Sequence, residues 1–267
     1  MTKVINKPPL NRAEGRLAGL MQVRGILGGV VGDLGCRIVA GEWKSGEILP
    51  TEAELMDQLT VGRSVVREAM RILNAKGLVR SRQMEGTKVM PRAEWRLLDP
   101  DLIQWRMQAA DRDVLLKDLL QVRLVLEPGV VWTATSYGSA AAKARIHAAW
   151  QAKTAVLDAS KFSPHEQREH FIITDLEFHR AFLAAVGSEI LGQLFSVIEA
   201  ALALMIDVQM QTRGSTTTLV GMEETNQLHQ DVYDAFAAND ADRAEAAMRY
   251  LIQRAILDAN KGFALTE

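Results

Sequence analysis

Apolar residues recur three and four positions apart along most of this chain, the spacing of helices that bury one face. Ile26, Val30, Leu34 and Ile38 make a first such stripe, on a helix ending near Ala40. In Thr51-Glu52-Ala53-Glu54, Thr51 can cap a helix N-terminus while Glu54, three residues on, closes a capping box. That helix runs to about Leu59, with Leu55 and Leu59 on one face, and Thr60-Val61-Gly62 reads as a tight turn. The next helix sets Val66, Met70 and Leu73 along one stripe and Arg63, Arg67 and Arg71 along another, and Gly77 stops it. Leu78 to Arg82, a turn at Gln83-Met84-Glu85-Gly86, and Thr87 to Met90 before Pro91 then form a small hairpin. Three helices, the last carrying a basic stripe and followed by a basic hairpin, are the pattern of a winged helix-turn-helix.

Beyond the hairpin almost no strand pattern is found. Val114, Leu115, Asp118, Leu119, Val122 and Leu126 read as one helix, Leu191, Leu194, Phe195, Ile198 and Leu202 as another. A third begins at Asp240, with Ala244, Ala247, Met248, Leu251 and Ala255 on one side. The expected fold is mainly α, a winged helix-turn-helix followed by an all-α antiparallel helical bundle. Its expected parts are an N-terminal tail (1–25), the winged motif (26–92), a linker with a short helix (93–110) and the helical domain (111–262). Trp95 and Trp105 fall in the linker, where each is expected to pack against one domain or the other.

Charge sharpens this division. The 267 residues carry a net charge of -2, which taken alone argues against a nucleic-acid partner. Yet residues 1–90 hold 14 Lys plus Arg against 9 Asp plus Glu, while the remainder holds 17 against 24. The first part is therefore basic and the second acidic, and Arg63 to Lys88 is the densest basic stretch, as a phosphate-binding surface requires. One cysteine, Cys36, excludes an intrachain disulfide. The start lacks the apolar core of a secretory signal, and Val197 to Val208 is too short and too charged to span a bilayer. A cytoplasmic protein with no membrane partner is expected.

The run Gly46-Glu47-Ile48-Leu49-Pro50-Thr51-Glu52, with Val65-Val66-Arg67-Glu68-Ala69-Met70 and Gly86-Thr87, resembles the DNA-binding domain of the GntR family of bacterial transcription regulators. The resemblance implies that Arg63, Ser64 and Arg67 meet double-stranded operator DNA from the recognition helix. It also implies that the turn from Gln83 to Gly86 enters the adjacent groove. Arginine suits the task, its planar fork binding guanine or two phosphate oxygens bidentately. Ala53, Val65 and Met84-Glu85 depart from residues common in the family and bear on which operator is read.

In the helical part, Asp175 and His179 stand four apart on one helix face, and His229 lies on a later helix. A carboxylate and two imidazoles from facing helices can hold one divalent metal ion, zinc or similar, leaving positions for a ligand's oxygens. A helix-stabilising pair is the commoner meaning of such a spacing. This half resembles the FCD ligand-binding domain of the FadR-type subfamily, in which an Asp-x-x-x-His motif with two later histidines often binds metal. Asp175, His179 and His229 match three of those positions, while Leu251 stands where the last histidine is frequent. Without metal, the same three side chains can hydrogen-bond a hydroxylated ligand.

Arg123 is either a local partner of Glu127, four residues on, or, by the family position it matches, a carboxylate binder facing the pocket. His147, His165 and His170 read as surface residues. The stretch Leu98-Asp99-Pro100-Asp101-Leu102-Ile103-Gln104-Trp105 is similar to galactonate-type sugar-acid repressors, which implies a small hydroxylated carboxylate as effector. The expectation is a homodimeric, ligand-responsive repressor of a sugar-acid operon, with effector contacts from Arg123, Asp175, His179 and His229. The alternatives are a metal-dependent enzyme using the Asp/His/His cluster and an architectural DNA binder, the second of which leaves the acidic helical domain unexplained.

Overall fold

The computed structural model describes residues 25–109, 112–158, 160–195, 199, 219 and 222–264. The chain divides into two compact units, the first ending at Leu115 and the second beginning at Leu116.

The first unit contains α1 (Gly25–Val39), α2 (Glu52–Leu59), α3 (Arg63–Ala75), the strands β1 (Val79–Arg82) and β2 (Gly86–Val89), and α4 (Pro100–Gln108). The capping box at α2 is present: Glu54 N–H donates to Thr51 Oγ1 at 3.3 Å, and Thr51 N–H donates to Glu54 Oε2 at 2.7 Å. The tight turn that follows places its left-handed residue at Thr60 (φ 55°) rather than at Gly62, which instead starts α3 with extended backbone. Val66, Ala69, Met70 and Leu73 of α3 are buried against α1, whose Val30, Val31, Leu34 and Ile38 complete the core. Ile26, expected on that stripe, is 72% exposed, because the first turn of α1 extends past the core.

The wing is an antiparallel pair with Val79 opposite Val89 and Arg82 opposite Gly86. A bridge from Ile48 to Lys88 ties in the segment before α2. Gly77 closes α3 with φ 79°, and a Cβ there would lie 2.1 Å from the Glu94 carbonyl oxygen, so only glycine fits. The helix expected within a linker, α4, belongs to this unit. Trp105 is buried over Gly35 of α1, where an added Cβ would sit 2.5 Å from the indole ring. Trp95 is half-buried against the same core and donates its indole N–H to the Met90 carbonyl at 2.9 Å.

The second unit is helical throughout its described residues: most of α5 (Arg112–Tyr137), then α6 (Ala140–Ala155), α7 (Pro164–Val186), a helical stretch over 189–195, α8 (Glu223–Ala237) and α9 (Ala241–Ala264). Ser139 caps α6, and Ser163 with Glu166 forms a second capping box, at α7. Short connections reverse the chain, and α6 packs along α7, as α8 does along α9. An aromatic core joins Trp150, Phe178, Phe182, Tyr233 and Phe236, with Trp150 stacked on Tyr233 at 4.8 Å.

Two expectations shift here. The buried face of α5 is Leu115, Leu116, Leu119, Leu120, Arg123 and Glu127, while Val114 and Val122 face outward. The helix is apolar on several sides, so periodicity alone could not choose the inner one. His147 is not a surface residue: it is half-buried, with Nδ1 2.8 Å from the Tyr233 hydroxyl. His165 and His170 are exposed, as expected. Of the stripe from Leu191 to Leu202, Ile198 and Leu202 lie outside the described residues.

Candidate functional site

On the first unit, Arg63, Ser64 and Arg67 are exposed on α3, opposite its buried stripe. Arg67 makes only a loose pair with Glu52, at 3.8 Å and well exposed to solvent. Gln83 and Gly86 are exposed at the wing turn, where Met84 is fully exposed with φ 65°. Lys76 belongs to a different environment from the rest of the basic stretch. It is buried between Asp99 (2.8 Å) and Asp101 (2.7 Å), joining the end of α3 to the start of α4. Arg80 pairs with Glu94, and Lys88 with Glu85. Arg71 pairs with Glu68 at 2.9 Å, whereas Arg82, like Arg67, has only a loose pair at 3.8 Å, so loosely held arginines lie both on α3 and on the wing.

In the second unit, four helices send charged or imidazole side chains into one buried cluster. Arg123 and Glu127 come from successive turns of α5, Lys153 from α6, Asp175 and His179 from successive turns of α7, and His229 from α8; all six are buried. Arg123 is paired with Glu127 and also lines the pocket. It pairs with Glu127 (Nε to Oε1 2.5 Å), and its Nη2 lies 3.3 Å from His179 Nε2. Burial pushes the Glu127 carboxyl up, but Arg123 and His179 outweigh it and hold the group down at about 2.

The His229 imidazole can be oriented from its neighbours. His229 Nδ1 lies 2.7 Å from the Thr225 carbonyl, which only accepts, so the hydrogen is on Nδ1 and Nε2 presents its lone pair. Burial, reinforced by the charge of Lys153, pushes His229 down to about 4, so the ring is neutral at pH 7. His179 Nδ1 lies 2.7 Å from Glu127 Oε2, close enough for an ion pair but not aligned for a hydrogen bond. The two Nε2 atoms stand 3.3 Å apart, with Asp175 Oδ1 3.1 Å from that of His229 and Asp175 Oδ2 3.8 Å from that of His179. Potential donor atoms of Asp175, His179 and His229 thus converge on one point, a place that suits a cation or a hydrogen-bond donor.

A divalent ion meets that need only in part. Three donor atoms lie within 4.8 Å of one another. The fourth position is taken by Leu251, a buried hydrocarbon lining the same pocket. The Asp175 carboxylate is already engaged by the Lys153 ammonium at 2.6 Å. Burial pushes Asp175 up, but the Lys153 ammonium outweighs it and holds the group well below the usual carboxylate range. The pocket enclosed by Arg123, Asp175, His179, His229, Leu251 and Arg254 holds about 30 Å³, room for a water or two.

Lys153 and Arg254 were missed in the sequence. For Lys153 a signal was present: Ala142, Ile146, Trp150 and Lys153 form the buried stripe of α6, and a lysine on an apolar stripe needs a buried partner. Arg254 follows Leu251 by three residues on α9 and pairs with Glu224 at 2.8 Å at the pocket rim.

A family model described as "FCD domain" matches residues 118–254, just over half of the chain, and one described as "Bacterial regulatory proteins, gntR family" matches residues 28–89. The chain is 30% identical over 217 residues to the uncharacterized HTH-type transcriptional regulator YieP of Escherichia coli, covering 81% of this chain and 88% of that protein. It is also 30% identical over 227 residues to the galactonate operon transcriptional repressor of E. coli, covering 84% and 92%. A solved structure of Lar, described as controlling expression of the Listeria monocytogenes agr system, shares the fold at a TM-score of 0.54 and 17% identity, covering 90% of this chain and 98% of that one. These relatives are regulators, and the metal-dependent enzyme alternative is set aside. With a GntR winged motif before an FCD helical domain, the chain belongs to the GntR family of bacterial transcription regulators, in its FadR-type branch.

Proposed function

We propose that the protein is a repressor of a sugar-acid catabolic operon, acting in the cytoplasm as a homodimer and released from operator DNA by a small hydroxylated carboxylate. The observation that carries this reading is the meeting, in one buried pocket, of the Arg123 guanidinium with the Nε2 atoms of His179 and His229. Glu127 takes Nε and Nη2 of Arg123, so an effector carboxylate would meet the remaining Nη1, and an adjacent hydroxyl can donate to the His229 Nε2, which has no hydrogen of its own. An effector without hydroxyls would leave that lone pair facing the Asp175 oxygen. Two relatives named as a galactonate operon repressor and as NanR repressors support a repressor role.

The partly open space among these side chains is smaller than a six-carbon acid, so an effector of that size opens the lining further as it binds. Opening is what allows differential affinity for two conformations, without which no ligand shifts an equilibrium. Two copies of α3 and its wing, through Arg63, Ser64, Arg67, Gln83 and Gly86, read the half-sites of a palindrome.

A thermal-shift panel of sugar acids on the full-length protein tests the pocket. Aldonic and aldaric acids should raise Tm by several degrees, as expected at concentrations well above Kd. The corresponding neutral sugars and the deoxy acids should not. A response to neutral sugars equal to that of the acids would remove Arg123 from effector recognition.

A further inference from the structure

We propose that Lys153 is the built-in cation of the Asp175, His179 and His229 cluster, supplying from behind Asp175 the positive charge that related pockets would take from a divalent metal, so that this chain's pocket works metal-free. Four charged side chains touch the cluster: Arg123 and Lys153 are positive, Glu127 and Asp175 negative, and they balance. Arg254 and Asp258, farther along the lining, add one charge of each sign. A divalent ion in this set would leave two positive charges uncompensated in a buried site, which is strongly unfavourable. A set with a neutral residue in place of Lys153 would instead carry a net negative charge, as metal sites commonly do.

Geometry agrees with the charge count. The Lys153 ammonium sits 2.6 Å from Asp175 Oδ1, the oxygen that also faces His229 Nε2 at 3.1 Å. It therefore holds the oxygen that an ion shared with His229 would need. The lysine is 1% exposed, with its ammonium 4.4 Å from the centre of the Phe171 ring, so it has neither water nor another described acid to turn to. It reaches Asp175 from α6 and is absent from the pocket lining, which leaves the open side of the cluster to a ligand. Leu251, lining that open side, offers methyl groups where a fourth donor would stand. One residue removes a donor and the other supplies the missing charge, and they act in the same direction. The inference concerns the cluster alone and holds whichever effector the pocket binds.

The test uses full-length protein stripped with EDTA and desalted, then mixed with Zn²⁺, Ni²⁺ or Mn²⁺ alone. Bound metal is counted after gel filtration, and the melting temperature is read in parallel. Wild type and Leu251→His should retain no stoichiometric metal and show no shift. The double variant Lys153→Met with Leu251→His should retain about one ion per chain and gain several degrees that EDTA reverses. Stoichiometric metal on the wild type, or on Leu251→His with its lysine in place, would overturn the inference. So would a folded double variant that binds none. Should the double variant not fold, the two lysine-containing proteins decide the matter by themselves.

Discussion

Individual side chains in the pocket separate into those that hold charge and those that read the ligand. Arg123 is placed for both, so truncation would confuse the roles: Arg123→Met would leave Glu127 buried without its guanidinium partner, costing ~3 kcal/mol. Arg123→Lys keeps the charge and loses the fork. It should weaken sugar-acid binding by roughly 10- to 100-fold in isothermal titration while leaving Tm within a few degrees. His229 carries a pH signature. An unfolded imidazole takes its proton near the ordinary 6.5, the folded one only near 4. Between those values the unfolded chain binds the extra proton, so stability present above pH 6.5 is lost as pH falls toward 4. Tm should drop through that window in wild type and drop distinctly less in His229→Gln; parallel curves would show that His229 is not held neutral. The Asp175/His179/His229 set was legible through the family resemblance, since its helical spacing alone more commonly marks an ion pair, and the structure brings the three together. Lys153 was not read, because a lysine is ordinarily solvated and only its position on the Ala142, Ile146, Trp150 stripe betrays it.

Among the elements, the winged motif was legible to the turn. Thr51 and Glu54 form their capping box, and the stripes of α3 fall on the predicted sides. Thr51→Ala should cost about 1 kcal/mol in denaturant unfolding. The turn differed in one respect: Thr60, a β-branched residue, carries the left-handed conformation. Thr60→Gly should therefore be neutral or stabilising, by up to ~1 kcal/mol, against the usual cost of an added glycine. The recognition face gives a separable result. Arg67→Ala should lower operator affinity at least tenfold in a gel shift, with the sugar-acid Tm shift intact. Unchanged binding would take Arg67 off the DNA. The inner face of α5 was not legible, because its leucines and valines surround the helix and the residues that select the buried side are the polar Arg123 and Glu127. Nor was the placement of α4, which depends on Trp105 finding the flat seat at Gly35, a contact between residues 70 positions apart.

For the whole molecule, near-neutral charge is the sum of two unlike parts, a basic one that carries the winged motif and an acidic one that carries the pocket. The central claim is that occupancy of the second alters DNA binding by the first. The most direct measurement is fluorescence anisotropy of the full-length protein on a labelled operator, titrated with the sugar acid that gives the largest thermal shift, at fixed salt because phosphate contacts make affinity strongly salt-dependent. Wild type should release the operator as the acid is added, and Arg123→Lys should require roughly 10- to 100-fold more acid for the same release. Operator binding that stays constant while the acid saturates the pocket would contradict the account.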